Sequence, residues 1–281
     1  RLVGAGLSRV GVVYPKSDSA FITTLVAAIA SKAAGRGLQL VLRPSETHDP
    51  AIASTLVEAL VSEGAEAVLL VPPYAEMLGQ ASRERLQIPF AGLVCAEAIS
   101  GMATVRIDNQ SAAYALTKNL IDLGRRRIGV LVGPRDHSDS LARLEGHKAA
   151  LEDHGLIHDP ALEADGDFSF VSGMKGARRL IEAQSSIDAI VASNDEMAAG
   201  VLWVAQTLGR RVPDDLAVCG FDDTLLATRV WPALTTVRQP LDRMAGHALD
   251  ALKTAFRNRG WGGEPVDLML DYELIERNST R

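Results

Sequence analysis

Short β-branched runs alternate with longer amphipathic stretches along almost the whole chain. The runs Val10–Tyr14, Leu38–Arg43, Ala67–Val71, Phe90–Val94 and Thr104–Ile107 read as strands, and a second series follows at Ile128–Val132, Ala189–Ala192 and Leu216–Gly220. Between them, Phe21–Arg36, Asp49–Glu63, Ser111–Leu123, Ser140–His154, Phe170–Ala183, Glu196–Leu208 and Asp242–Asn258 read as helices. A parallel strand pair needs a crossover of a dozen or so residues, usually a helix, so this alternation dictates βαβ units and parallel sheets. Two series predict two α/β lobes. Residues 10–123 plus 241–265 are assigned to an N-terminal lobe, and 124–237 plus 268–281 to a C-terminal lobe. The last run, Val266–Ile275, is too short for a third domain and is expected to complete both lobes. Several crossings between lobes would form a hinge.

The composition suits this reading. With 281 residues, 47% of them apolar, the chain can bury a substantial core in each lobe. Its formal charge of −6 leaves no basic face of the kind an isolated DNA-binding domain carries. The densest basic spot, Arg125-Arg126-Arg127, follows Leu123-Gly124, where cations complement a helix C-terminus. Cys95 and Cys219 sit in apolar stretches and read as buried thiols, which points to a reducing compartment. No signal peptide and no apolar run long enough for a membrane span is visible. A soluble, cytoplasmic protein that does not engage membranes is expected.

Enzyme signatures fail one by one. Gly4-Ala-Gly6 precedes the first strand, whereas a dinucleotide loop must follow it. No phosphate-binding loop, nucleophile elbow or zinc-protease motif occurs, and the six histidines lack metal-ligand spacing. No metal or cofactor is expected. Asp222-Asp223 alone would suit a general base or a Mg²⁺ ligand as well as a binding loop. Polar residues cluster just past the strand ends, where parallel α/β sheets bind ligands. They are Pro15–Ser19, Pro72–Tyr74 and Asp108-Asn109 in the first series. In the second they are Gly133–His137, Ser193–Asp195 and Asp222-Asp223.

Two segments carry the most information. Val191–Leu202 (VASNDEMAAGVL) reads as a buried strand whose end offers Asn194, with Asp195 placed to cap the next helix. Val212–Asp223 (VPDDLAVCGFDD), followed by Trp231–Pro240 (WPALTTVRQP), reads as a turn, a strand, a carboxylate-bearing loop and a crossover. Here the chain resembles the lactose-repressor/galactose-repressor family of bacterial regulators. The resemblance extends to Arg106–Asn109 (RIDN), Leu123–Pro134, Arg143–Gly146 (RLEG), the Leu7–Val13 entry and the tail Leu274–Arg281. It covers essentially the whole chain. One departure is Ala112, where the family often has glycine.

The resemblance implies a type I periplasmic-binding-protein-like fold, an effector in the cleft between the lobes, and a homodimer. It also implies a helix-turn-helix headpiece and hinge helix ahead of this sequence, with residues 1–9 the end of that linker. Operator DNA would be held only through the headpiece. Joined to the strand-end positions, it places Asp222, Arg143 and Asn194 as polar ligand contacts and Phe168 as an aromatic wall. Phe21 would form the opposite wall. His137 and Asp139 lie where relatives carry specificity groups, and Ser19, Ser111 and Gln239 complete the set. Fixed polar groups around one aromatic face suit a sugar or sugar derivative, and the low aromatic content argues against a purine. The expected function is the effector-sensing part of a transcriptional regulator. The rivals are a periplasmic sugar receptor serving a transporter and a sugar-processing enzyme acting through Asp222.

Overall fold

A computed structural model describes residues 7–47 and 49–281. The Gly4-Ala-Gly6 motif and most of the proposed 1–9 linker lie outside the described residues. The chain divides into two compact units. The first comprises the chain up to Asp18 together with Ile22–Ile107 and Pro240–Leu270; the second comprises Ser19–Phe21, Asp108–Gln239 and Asp271–Arg281.

In the first unit, β1 (Arg9–Pro15), β2 (Gln39–Ser45), β3 (Ala67–Leu70), β4 (Phe90–Leu93) and β5 (Ala103–Ile107) alternate with helices. The helices are α1 (Ala20–Ala34), α2 (Pro50–Ser62) and the short α3 (Tyr74–Met77) and α4 (Gln80–Leu86). With β11 (Asp267–Leu270) the strands form one parallel sheet, ordered β11-β5-β4-β3-β1-β2. Val10, Val12 and Val13 of β1 and all of β3 are buried, as expected of central strands covered on both faces. Leu60, Val68, Leu70, Tyr74, Phe90 and Met102 form the core on one side. Each such side chain contributes roughly 1.5–3 kcal/mol by leaving water. Helix α9 (Leu241–Arg257) packs on β3, β4 and β5.

The second unit contains α5 (Asn109–Asp122), β6 (Ile128–Val132), α6 (Ser138–Asp153), β7 (Glu163–Asp165) and α7 (Phe170–Ala183), then β8 (Ala189–Ala192), α8 (Asp195–Thr207) and β9 (Ala217–Cys219). Its parallel sheet is ordered β7-β6-β8-β9. Two short strands, β10 (Thr236–Arg238) and β12 (Glu273–Ile275), pair antiparallel, and bridges from Cys219 to Thr235 and from Asp222 to Arg238 run on toward β10. Ile190, Val201, Val204, Leu216 and Val218 lie at the centre of its core.

The lobe boundary predicted at 123/124 falls instead between Ile107 and Asp108. Helix α5 joins the second unit because it packs on α6. A Cβ on Gly146 would lie 2.1 Å from the Gln110 carbonyl oxygen, so only glycine permits that approach. The buried Thr117 hydroxyl and His147 Nδ1 add a 3.0 Å hydrogen bond across the pair. In the tail, β11 falls in the first unit, although residues 268–281 are assigned from sequence to the C-terminal lobe, and β12 falls in the second.

Candidate functional site

The polar residues that are buried together lie past the carboxyl ends of β6, β8 and β9 in the second unit. Arg143, in α6, is at their centre and only 5% exposed. Its Nε donates to Asn109 Oδ1 (2.9 Å) and its Nη1 to the Ser193 carbonyl (2.6 Å). Its Nη2 lies 3.4 Å from Asp139 Oδ2. The guanidinium carbon sits 3.8 Å from the centre of the Phe221 ring, a cation–π arrangement.

Asp222 is held by backbone geometry that few residues adopt, with φ 108°, and its amide donates to the Val237 carbonyl. Gln239 Nε2 donates to Asp222 Oδ1 at 2.8 Å. Burial pushes the Asp222 carboxyl well above its ordinary value; nearby Arg143 opposes the rise and Asp195 adds to it. Asp195 is buried as well and is pushed up to about 7, chiefly by desolvation. Hydrogen bonds from the Thr236 hydroxyl (2.6 Å) and from the Thr224 amide and hydroxyl favour its ionised form. The adjacent Asp223 is a structural anchor: Arg277 and Arg238 donate to its two oxygens.

The aromatic wall is Phe168, also at positive φ (67°). Its ring meets His137 edge-on, with centroids 5.6 Å apart, and lies where any Cβ on Gly133 would be, 2.4 Å from the nearest ring carbon. Asn194 Nδ2 fixes the Phe168 carbonyl at 2.9 Å. The Asn194 side-chain oxygen accepts from the Met197 amide, so Asn194 is the N-cap of α8 in place of the predicted Asp195. Asp195 is the first helical residue instead and turns inward to the threonines.

Sequence-assigned residues thus form one connected series: Gln239 on Asp222, Asp222 near Arg143, Arg143 on Asp139, Asp139 by His137 (3.8 Å), His137 on Phe168, and Phe168 on Asn194. Ser111 does not join it. Its hydroxyl and amide both bond the Asp108 carboxylate in an N-cap, and Asn109 is the α5 residue that reaches Arg143. Ser19 Oγ accepts from the Phe21 amide, and both residues are half-buried at the start of α1, outside the series. Asn109, Ser193, Asp195 and Phe221 were missed as site residues. Asn109, Ser193 and Asp195 all lie in the strand-end clusters of the sequence, whereas Phe221 reads as core in an apolar run.

Two buried polar atoms beside this series, Asn109 Nδ2 and Gln239 Oε1, have no hydrogen-bond partner among the described residues. Such atoms are expensive to bury unpaired, so a donor and an acceptor are left over. The arrangement suits reversible hydrogen bonding to a small polar molecule. Among the described residues no group of three His, Cys, Asp or Glu could hold a metal ion.

Comparison with known proteins decides the family. The model of the periplasmic binding protein-like domain matches residues 117–280. The repressor CytR of Escherichia coli K12 is 30% identical over 273 residues, covering 96% of this chain and 78% of CytR. The chain belongs to the lactose-repressor/galactose-repressor family. Another relative, the regulator CelR of Thermobifida fusca, is 37% identical over 175 residues, covering 62% of this chain but only 51% of CelR. A solved complex of the transcriptional regulator CelR with cellobiose superposes with a TM-score of 0.85 at 29% identity, covering 96% of this chain and 84% of that one. Membership in the lactose-repressor/galactose-repressor family accounts for the paired parallel α/β units and favours a regulator's effector-binding core over a transport receptor.

Proposed function

We propose that this chain senses a small polyhydroxylated molecule, a sugar, on the strand-end surface of its second unit, and that binding modulates the operator affinity of the regulator. The observation that carries the reading is the series from Gln239 to Phe168, with Asn109 Nδ2 and Gln239 Oε1 left without hydrogen-bond partners. Hydroxyl groups both donate and accept, and can satisfy those two atoms together with Asp222. The solved complex of CelR with cellobiose supports a carbohydrate. Changing operator affinity by about 10²–10³ would require about 3–4 kcal/mol of differential ligand affinity between two states. Calorimetry with monosaccharides, cellobiose, polyols and nucleobases tests the reading. Binding of a purine while every sugar fails would overturn it.

Operator DNA is engaged in this reading by a helix-turn-helix part of the regulator, and the protein works in the cytoplasm. Ligand recovered unchanged after prolonged incubation would support sensing over turnover. No described helix is long and apolar enough to cross a membrane. A second copy of the chain is the proposed protein partner. Phe170 and Val171 of α7, Trp203 of α8, Leu225 in a 3₁₀ turn packed on α8, and Trp231 are all exposed, Trp231 at 88%. Large exposed apolar groups on neighbouring elements mark an interaction surface. Sedimentation at micromolar concentration should show a dimer, weakened by Trp231→Asp.

A further inference from the structure

The ionisable groups at the candidate site are unevenly matched. Among the described residues, Arg143 is the single lysine or arginine that is buried, whereas Asp139, Asp195 and Asp222 are all buried in the same unit. The guanidinium is also already occupied. Recognition of a carboxylate or phosphate by arginine uses two parallel N–H groups along one edge of the fork. On one edge, Nε is bonded to Asn109 Oδ1 and Nη2 faces Asp139 Oδ2. On the other, Nη1 is bonded to the Ser193 carbonyl, and one face of the plane is covered by Phe221. Other cations past the strand ends of this unit are committed elsewhere, Arg238 and Arg277 to Asp223 and Arg135 to Glu163 and Asp165.

Asp139 itself is held in place. Its Oδ1 accepts from the Ser140 amide in the first turn of α6, where a negative charge is stabilised by the helix dipole. A carboxylate of the protein therefore sits where an anionic substituent of a ligand would otherwise meet Arg143.

Resting on the sugar-sensing reading above, we propose that the effector is uncharged and that Asp139, seated against Arg143, is the residue that rejects sugar acids and sugar phosphates. A hydroxyl can donate to Asp139 or Asp222 without disturbing the Arg143 pairing. An anion arriving at the same place must displace Asp139 or lie against it.

The test is calorimetry on the whole chain with matched pairs: glucose with glucuronate and with glucose 6-phosphate, and cellobiose with cellobionate. The wild type should prefer the neutral member by at least tenfold. Asp139→Ala should cut that preference by tenfold or more by freeing the Nη2 edge. Asp139→Asn can keep the bond from the Ser140 amide, so it separates charge from folding and should behave like Asp139→Ala. Thermal melts establish that each variant is folded, and if Asp139→Ala is not, the wild type and Asp139→Asn carry the comparison. An acid or phosphate that binds the wild type as tightly as its neutral partner overturns the proposal while leaving sugar sensing intact. So does an unchanged preference in the folded variants. If no sugar binds, neutral or charged, the sensing reading falls and this proposal falls with it.

Discussion

The two units share one architecture and use their strand ends in opposite ways. In the first unit, β1 leads to Lys16, whose ammonium pairs with Glu46 in open solvent. The chain after β3 buries Tyr74, whose hydroxyl is tied to the Thr47 carbonyl, and the chain after β4 buries Val94 and Cys95. In the second unit the equivalent places hold Asn194, Asp195 and Asp222, all buried. Backbone strain follows the same division. Val94 adopts φ 62° within an apolar turn, and Asp222 adopts φ 108° to project a carboxylate beside Arg143. Equivalent sheets supply equivalent positions; the side chains placed there decide whether a strand end is packing or chemistry.

The largest test of that contrast is Arg143→Ala. It would leave Asp139 and Asp222 buried without their cation, and losing one member of a buried, hydrogen-bonded charge group costs about 3–5 kcal/mol. Ligand binding should vanish. Lys16→Ala, at the exposed pair of the first unit, should leave the urea midpoint where it is. A silent Arg143→Ala would mean that the two sets of strand ends do not differ energetically.

Next is the pH dependence of Asp195. Its folded-state value of about 7 lies above the ordinary 3.8, so the folded protein holds a proton that the unfolded chain releases. Stability from this group is complete below about pH 4, declines as pH rises, and is gone above about pH 7, a change of up to about 4 kcal/mol. Thr236 and Thr224 bond the ionised form, and Asp222 and Asp223 are the neighbouring carboxyls. Asparagine does not titrate there, so in urea melts across that range the wild type should lose stability relative to Asp195→Asn as pH rises. Parallel curves would show that Asp195 is ionised throughout.

Gly133→Ala comes third. The new Cβ would fall 2.4 Å from the Phe168 ring and 2.5 Å from Ser140 Oγ, an overpacking expected to cost about 1–3 kcal/mol and to shift the aromatic wall. Gly79, the N-cap of α4 in the first unit, has nothing within 4 Å of the same position, so Gly79→Ala should leave binding unchanged and cost only what a poorer cap costs. Melting temperature and ligand affinity, measured together, separate the two outcomes.

Much of this was legible in advance because strongly periodic segments announce themselves. Ile128–Val132, Ala189–Ala192 and Phe170–Ala183 have the bounds predicted from pattern alone. Elements with little apolar content were silent. Strand β7 is Glu-Ala-Asp with one buried residue, and β10 has only three residues, so neither shows a period. The place of α5 was hidden because a helix following a strand gives no sign of which sheet it will pack on; the Gly146 approach to Gln110 settled it. At the candidate site, strand ends joined to the family resemblance name Asp222, Arg143 and Gln239, and name Ser111 where Asn109 is the α5 residue bonded to Arg143. The two are separated by half a helical turn, and the choice depends on where the helix begins. Asn and Asp are equally good N-caps, so the sequence Asn194-Asp195 does not say which one caps and which one is buried.

That ambiguity supplies the smallest prediction. Asn194→Ala removes the N-cap of α8, which costs about 1 kcal/mol in a typical helix. Asp49 caps α2 in the first unit through the Ala51 amide, so Asp49→Ala should cost about as much. The stabilities should therefore fall together. The affinities should not, because Asn194 Nδ2 also holds the carbonyl of Phe168, a residue kept at positive φ. Without that bond the Phe168 ring loses a fixed seat against Gly133 and His137. Ligand affinity should drop several-fold in Asn194→Ala and stay unchanged in Asp49→Ala. Equal affinities in the two variants would reduce Asn194 to a cap and leave Phe168 positioned by Gly133 and His137 alone.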